Sequence, residues 1–307
     1  MNGHVLTEET PAAAQSASAE DRAVTALARA ASLEMTWHDM GELSACRAMI
    51  EPGTSVFASH LPGQTWRQSI DTCVAIRRHG FEPVPHIPVR RLDDRTHFAN
   101  VLSELVGEAG VARVLLIAGD SPRPAGAFLS TLDALSTGVL AEHGIRSIVV
   151  AGHPEGHPQI LDHELRRAER DKVAFAFAHG MEITFLTQFF FDAAPFVAWV
   201  RLMRAQGIDA RIVAGLAGPA RLTTLFKFAL RCSVGASIRA LGSRPDLFAK
   251  LATERDPESI VRAIVRAGFE RSLGRIGIHL FSFGGFGRTS SWLRALPGGV
   301  VTRAADS

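Results

Sequence analysis

From Ala31 onward the chain alternates between short apolar runs and longer stretches whose apolar residues recur at helical spacing. The short runs are Ala31–Thr36, Ser55–Ser59, Glu82–Ile87, Ala112–Ala118, Ser147–Ala151, Ile183–Phe189, Ala210–Ala214 and Arg275–Phe281. Most are bounded by Gly, Pro or Asp, the pattern of strands buried on both faces. Helix-length segments separate them at His38–Ile50, Thr65–His79, Asp93–Ala109, Ala125–His143, Ile160–His179, Ala193–Gln206 and Ala220–Cys232. The connection after the seventh strand is longer and adds Pro245–Thr253 and Pro257–Ala267. Four helices end alike, at Arg78-His79-Gly80, Glu142-His143-Gly144, Ala178-His179-Gly180 and Ala205-Gln206-Gly207. Gly there supplies a left-handed cap, and His or Arg suits the negative helix end.

Eight strand-then-helix units in sequence predict an α/β fold, a (β/α)8 TIM barrel, over residues 25–296 as one domain with extra helices after strand 7. Residues 1–24 read as a flexible leader and 297–307 as a frayed tail. An open doubly wound sheet is the alternative, but its G-x-G-x-x-G fingerprint after the first strand is missing. Phe283-Gly284-Gly285-Phe286-Gly287 resembles the phosphate-cradling loop found after strand 8 of such barrels.

Composition narrows the function classes. Hydrophobic residues make up 47 %, enough for a large core, and 21 % charged is too little for a disordered chain. A net charge of +2, with scattered arginines and only Lys172, Lys227 and Lys250 as lysines, argues against nucleic acid as the main partner. Cys46, Cys73 and Cys232 are odd in number and widely spaced, which fits a reducing compartment. No secretory pattern opens the chain and no apolar run is long enough for a membrane span, so a cytoplasmic protein with no membrane partner is expected.

Polar residues interrupt the apolar strands at one end. Glu34 lies near the end of strand 1, and Ser59-His60 closes strand 2. His86 ends strand 3, Gly119-Asp120 follows strand 4, and Gly152, His153, Glu155 and His157 follow strand 5. Thr187 and Gln188 end strand 6 before Phe189. A buried carboxylate, imidazole or amide is costly unless it is paired or used. Six successive strands that place one at the same end match a barrel active site. Each also has a plain structural reading: an Arg partner for Glu34, a turn or cap for Asp120, a backbone bond for His86, a barrel layer for Gln188. His153-Pro154-Glu155-Gly156-His157-Pro158 is broken by prolines and forms no HExxH helix, so no metal is expected. No G-x-S-x-G elbow points to a serine hydrolase, and no strand carries a lysine for a Schiff base.

In this order the strand-end residues resemble the methylenetetrahydrofolate reductase family. Leu186-Thr187-Gln188-Phe189-Phe190-Phe191-Asp192 is close to its strand-6 signature, and Val150 to Pro158 is similar to its A-x-Y-P-E-x-H-P motif. Pro85-His86 looks like its strand-3 P-H, Gly119-Asp120 like its R-G-D, and Ser32-Leu33-Glu34 like the S-F-E of its catalytic Glu. Ile208 to Gly215 looks like its strand 7.

The resemblance implies a reductase that carries hydride from NAD(P)H through FAD to 5,10-methylenetetrahydrofolate, or runs in reverse. Glu34 would be the general acid at N10, neutral because burial raises its pKa, and Asp120 would act on the pterin and tune charge. Gln188 would bind the pterin edge, with Thr187 and Phe189 beside it. Ser59, His60, His86, Gly119, Asp120, Gly152, His153, Glu155 and His157 would line the flavin, with Lys172 near its pyrophosphate. A homo-oligomer is expected.

The chain departs from the pattern at several flavin positions. Ala118 stands where Arg often precedes Gly-Asp, His153 replaces an aromatic, Met35-Thr36-Trp37-His38 replaces P-P, and Ser59-His60-Leu61 replaces T-Y-G. There is no Tyr in the chain. Two alternatives therefore stay open: a flavin-free folate reductase that uses NAD(P)H directly, and a non-catalytic folate-binding barrel.

Overall fold

In the computed structural model, which describes residues 11–121, 123–231 and 257–296, all eight expected strands form. They are β1 Ser32–Met35, β2 Ser55–Ala58, β3 Glu82–Pro88, β4 Arg113–Ile117, β5 Ser147–Gly152, β6 Glu182–Phe189, β7 Arg211–Ala217 and β8 Ile276–Phe281. Each is parallel to the next, and β8 pairs with β1 to close the barrel. Cys232, the helix expected at Pro245–Thr253 and the tail 297–307 lie outside the described residues.

Alternation within each strand builds two cores. Leu33, Val56, Val114, Leu116, Ile148, Phe185, Ile212 and Ile278 face outward and join the large cluster under the helices. Phe57, Val84, Leu115, Val149, Leu186 and Val213 face inward and fill the bore as a second cluster. This two-faced burial is why the strands read as continuous apolar runs. Above that layer the inward positions turn polar, and those positions form the site. The opposite mouth holds a cavity of about 260 Å³ whose lining includes Arg29, Arg113, Glu182 and Arg211, away from the strand-end residues.

The helix ends behave as expected. His79, His143 and His179 each place Nδ1 2.8–2.9 Å from the carbonyl four residues earlier. The glycines that follow have φ of 86°, 75° and 59°. These histidines close helices.

Three helical expectations change. The segment expected as one helix over His38–Ile50 is a 3-10 helix, Trp37–Glu42, followed by a short α-helix, Leu43–Cys46. Asp39 draws the first turn tight by accepting from both the backbone N–H and the hydroxyl of Thr36. Ala125–His143 is a loop followed by two short helices, Thr131–Ser136 and Val139–Glu142. Gly126 lies against Asp93, where a Cβ would sit 1.5 Å from the carbonyl oxygen, and Gly138 breaks the run at φ 76°. The leader expected over 1–24 is helical from Pro11, and the helix runs to Arg29. Val24 and Ala28 are buried, while Glu20 pairs with Arg262 and Arg266 of the helix Glu258–Glu270. The expected boundary falls inside an element docked on the barrel.

The loop after β8 also differs from its sequence reading. The backbone N–H of Gly287, at the start of the helix Phe286–Ala295, donates to the Glu42 carboxylate. That N-terminus already holds an anion of its own chain, so the phosphate-loop resemblance does not carry through. Cys46 and Cys73 are buried free thiols, and burial pushes both up and away from reactivity.

Candidate active site

Glu34 is one of two inward residues of β1, and side chains from three other strands converge on it. Ser59, at the end of β2, donates its hydroxyl to Oε1 at 2.6 Å. Nε2 of His86, on β3, lies 3.3 Å from Oε2, and Nε2 of His279, on β8, lies 3.6 Å from the same oxygen. The other ring nitrogen of His279 meets the Ser32 hydroxyl at 2.9 Å. Glu34 Oε2, His86 Nε2 and His279 Nε2 are all buried, and none makes a hydrogen bond of acceptable geometry. Buried polar atoms are normally satisfied, so three unsatisfied ones aimed at one point mark a place where chemistry is held ready.

This environment reverses the expected state of Glu34. Burial alone raises its pKa, as the sequence reading held. The close approach of the His86 and His279 ring nitrogens to its carboxylate outweighs burial and holds the carboxyl below the usual carboxylate range. Burial pushes His279 down, and Glu34 only partly offsets it.

Sequence reasoning missed His279. It interrupts an apolar strand as Glu34 does, and the parity of β8 sets it inward with Gly277 and Phe281. The same parity places a group of rings beside the cluster. Phe281 and Phe283 lie nearly parallel with centroids 5.6 Å apart, Phe228 stacks on Phe283 at 4.2 Å, and Phe189 meets Phe283 edge-on at 4.9 Å. Phe189 is thus part of an aromatic floor shared by β6, β8 and the helix Leu222–Arg231. Gln188 is half-buried beside it. Thr187, expected to touch substrate, instead faces outward: its buried hydroxyl accepts from the N–H of Gly215 at a register shift between β6 and β7. Gly215 is required there, since a Cβ would lie 2.2 Å from the Thr187 carbonyl oxygen.

The rim from β2 to β5 carries the remaining residues. His60 bonds Ser69 through Nδ1 at 2.8 Å and lies over Trp66 with centroids 4.4 Å apart. Burial, with Arg91 and His86 nearby, brings its pKa down to about 4. Gly119 has φ 89°, and Asp120 is exposed, 3.8 Å from Arg91. His153 and His157 meet edge-on at 5.6 Å, and burial is the main reason His153 falls to about 3. Glu155 is half-buried between them in sequence. Among the described residues no three His, Cys, Asp or Glu side chains are grouped to hold a metal ion. No described helix is long and apolar enough to cross a membrane.

The sequence profile of the family described as methylenetetrahydrofolate reductase matches residues 35–240, two-thirds of the 307-residue chain. The chain belongs to the methylenetetrahydrofolate reductase family. It is similar to the 5,10-methylenetetrahydrofolate reductase of Pectobacterium carotovorum subsp. carotovorum, with 27 % identity over 210 residues, covering 67 % of this chain and 65 % of that protein. Methylenetetrahydrofolate reductase 2 of Saccharomyces cerevisiae is 28 % identical over 194 residues, covering 58 % of this chain and 28 % of that longer protein. The chain therefore spans about two-thirds of the first relative and just over a quarter of the second. A Clostridium thermocellum protein described as binding two copies of 5-methyl-5,6,7,8-tetrahydrofolic acid shares the fold, with TM-score 0.58 and 13 % identity over 87 % of this chain and 92 % of that one. Glu34 lies just before the matched stretch of this methylenetetrahydrofolate reductase family member, and His279 lies beyond it. The barrel closure of β1 on β8 is what brings the two together.

The family's flavin can be tested against these residues. Neutral imidazoles at His60 and His153, with His157, Glu155, Gly119 and the Arg91–Asp120 pair, fit the ring and polar edge of such a cofactor. Three other expected contacts are engaged or directed elsewhere. Ser59 and His86 are tied to Glu34. Gly152 faces away from the bore, where a Cβ would meet Trp199 at 2.7 Å. Burial lowers the pKa of Lys172, whose charge is felt by both Glu169 and His153.

Proposed function

We propose that this chain interconverts 5,10-methylenetetrahydrofolate and 5-methyltetrahydrofolate at the C-terminal mouth of the barrel, with NAD(P)H as electron source. The observation that carries this is the convergence of Glu34, His86 and His279 on one unsatisfied point beside an aromatic floor. A folate-binding barrel without chemistry has no use for a proton-bearing cluster there. Family membership supports the same reading.

The proton step needs little else. The C–N10 bond of the five-membered ring breaks, its electron pair takes a proton at N10, and the positive charge moves to an iminium at N5. The Glu34 carboxyl supplies that proton. The phenylalanine floor takes the flat pterin face, the Gln188 amide bonds its edge, and Asp120 bonds it from the rim. Hydride addition to the iminium carbon then gives the N5 methyl group. FAD, when bound along His60, Gly119, His153, Glu155 and His157, supplies that hydride carrier.

A second reading, direct transfer from the nicotinamide, is favoured by Ala118 at strand 4. An absorption spectrum of the purified protein decides between them. Flavin bands bleached anaerobically by NAD(P)H are expected. A colourless protein that still forms 5-methyltetrahydrofolate from NAD(P)H moves the reading to direct transfer. Folate binding without turnover under either condition, with FAD added, would leave a binding protein.

The Gln188→Ala variant should bind folate about 1–3 kcal/mol more weakly through loss of one or two hydrogen bonds. Calorimetry with 5-methyltetrahydrofolate checks this, and unchanged affinity would place Gln188 in the barrel packing alone.

A further inference from the structure

We infer that the cavity at the N-terminal mouth of the barrel binds a small organic carboxylate, its anionic group between Arg113 and Arg211 and its carbon body against the underside of the bore. The inference is independent of the reaction proposed above. It starts from strand parity. Phe57, Leu115, Val149, Leu186 and Val213 fill the bore, and two positions before them stand Ser55, Arg113, Ser147, Thr184 and Arg211. Those residues face inward as well. Barrel interiors are normally filled by successive layers of bulky branched side chains. Here the lowest layer holds small hydroxyls and two guanidiniums around a cavity of about 260 Å³.

An arginine turned into a barrel bore is costly unless it is paired or used. Arg113 is partly engaged: its Nε donates to the Ser147 hydroxyl at 2.9 Å, and that hydroxyl donates on to Glu182 at 3.3 Å. The Arg211 guanidinium has no hydrogen bond or ion pair with any described residue. It lies against Gly277 of β8, where a Cβ would sit 2.9 Å from Nη2. Glycine at that inward position is what leaves the guanidinium its room. Arg113 on β4 and Arg211 on β7 thus line one space, and Arg29 adds a third cation. Glu51 and Glu182 are the two carboxylates of the same lining, both exposed, so the balance suits a monoanion. A planar guanidinium takes a carboxylate through two parallel N–H donors, which fixes its orientation. Deeper in, the lining turns to Phe57, Val149, Leu186 and Val213, an apolar end for a few carbon atoms. Pockets for drug-sized ligands run to roughly 300–1,000 Å³, so this one takes a smaller body.

Two lining residues also reach the opposite mouth. The Ser32 hydroxyl meets His279 Nδ1 at 2.9 Å, and Phe57 is edge-on to the same imidazole at 4.7 Å. A carbon body resting on Phe57 is therefore one ring away from His279.

Isothermal calorimetry with isovalerate, a branched monocarboxylate, tests the site. Saturable binding in the millimolar range or tighter is expected, and isoamyl alcohol, its neutral counterpart, should not bind. Arg211→Gln should weaken isovalerate about 10-fold or more, because charge-assisted hydrogen bonds are lost. That guanidinium holds no other described residue, so the variant should keep the parent's Tm. Nitrogen NMR of histidine-labelled protein gives the second readout. The ring resonances absent from His279→Gln should move as isovalerate is added to the parent, and stay in place in Arg211→Gln at the same concentration. No saturable binding, equal binding of the alcohol, unchanged affinity in Arg211→Gln, or His279 resonances that do not move in the parent would overturn the inference.

Discussion

Replacing Glu34 with Gln should nearly abolish the folate half-reaction and leave reduction by NAD(P)H close to the parent rate. Gln keeps the shape and can still accept from the Ser59 hydroxyl, which bonds Oε1 at 2.6 Å in the parent. It cannot pass a proton to N10. Loss of a positioned general acid costs about 10²–10⁴-fold. Hydride transfer from nicotinamide uses no such acid, so the effect should be confined to one half-reaction. Stopped-flow measurement of the two halves is the direct check. Equal slowing of both would make Glu34 a structural residue, and no slowing would send the search for the acid to Asp120. A stability effect accompanies the kinetic one. Because the folded carboxyl sits below the unfolded value, its ionisation stabilises the fold above the unfolded pKa, and that contribution disappears as the pH falls through the folded pKa.

All eight strands were legible because each is buried on both faces, so runs such as Val114 to Leu116 stand out whatever packs around them. The histidine caps were legible because a Gly-ended helix is a local event. Expectations failed where distant backbone decides. Nothing in the local pattern of Ala125–His143 shows that Gly126 presses on the Asp93 carbonyl, and that contact prevents helix there. The Ala- and Ser-rich opening lacks a broad apolar stripe, yet alanine favours helix, and Val24, Ala28 and the Glu20 ion pairs dock it on the barrel.

The site was legible in a similar, uneven way. Glu34 stood out as a carboxylate in an apolar strand. His279 satisfies the same criterion, but no motif within strand 8 itself singles it out. The error over Glu34 ionisation has the same root: its burial could be read from strand 1, but its imidazole partners come from β3 and β8.

A buried ion pair in the helix after β5 should give the largest stability effect among the described residues. Within the helix Asp162–Ala178, the Nη1 group of Arg166 reaches both oxygens of Glu169, at 2.8 and 2.7 Å. Nη2 donates to the carbonyl of His153 at 2.9 Å, and the Trp199 indole donates to Glu169 at 3.1 Å. The network thus ties this helix to the turn after β5 and to the helix Ala193–Ala205. Side-chain exposures of 9 % for Arg166 and 4 % for Glu169 leave little water to replace a lost partner. Asp162, 3.4 Å from Arg166 but 76 % exposed, is a weak substitute. Glu169→Ala should therefore cost about 3–5 kcal/mol, most of it from leaving the Arg166 charge buried and unpaired. Arg166→Met combined with Glu169→Leu should recover most of that loss, because burying two apolar side chains removes the desolvation cost of both ions. Urea denaturation at constant m-value measures both variants. A loss below about 1 kcal/mol in the single variant, or a double variant no better than the single, would mean that solvent reaches the pair and that the His153 turn is held by other contacts.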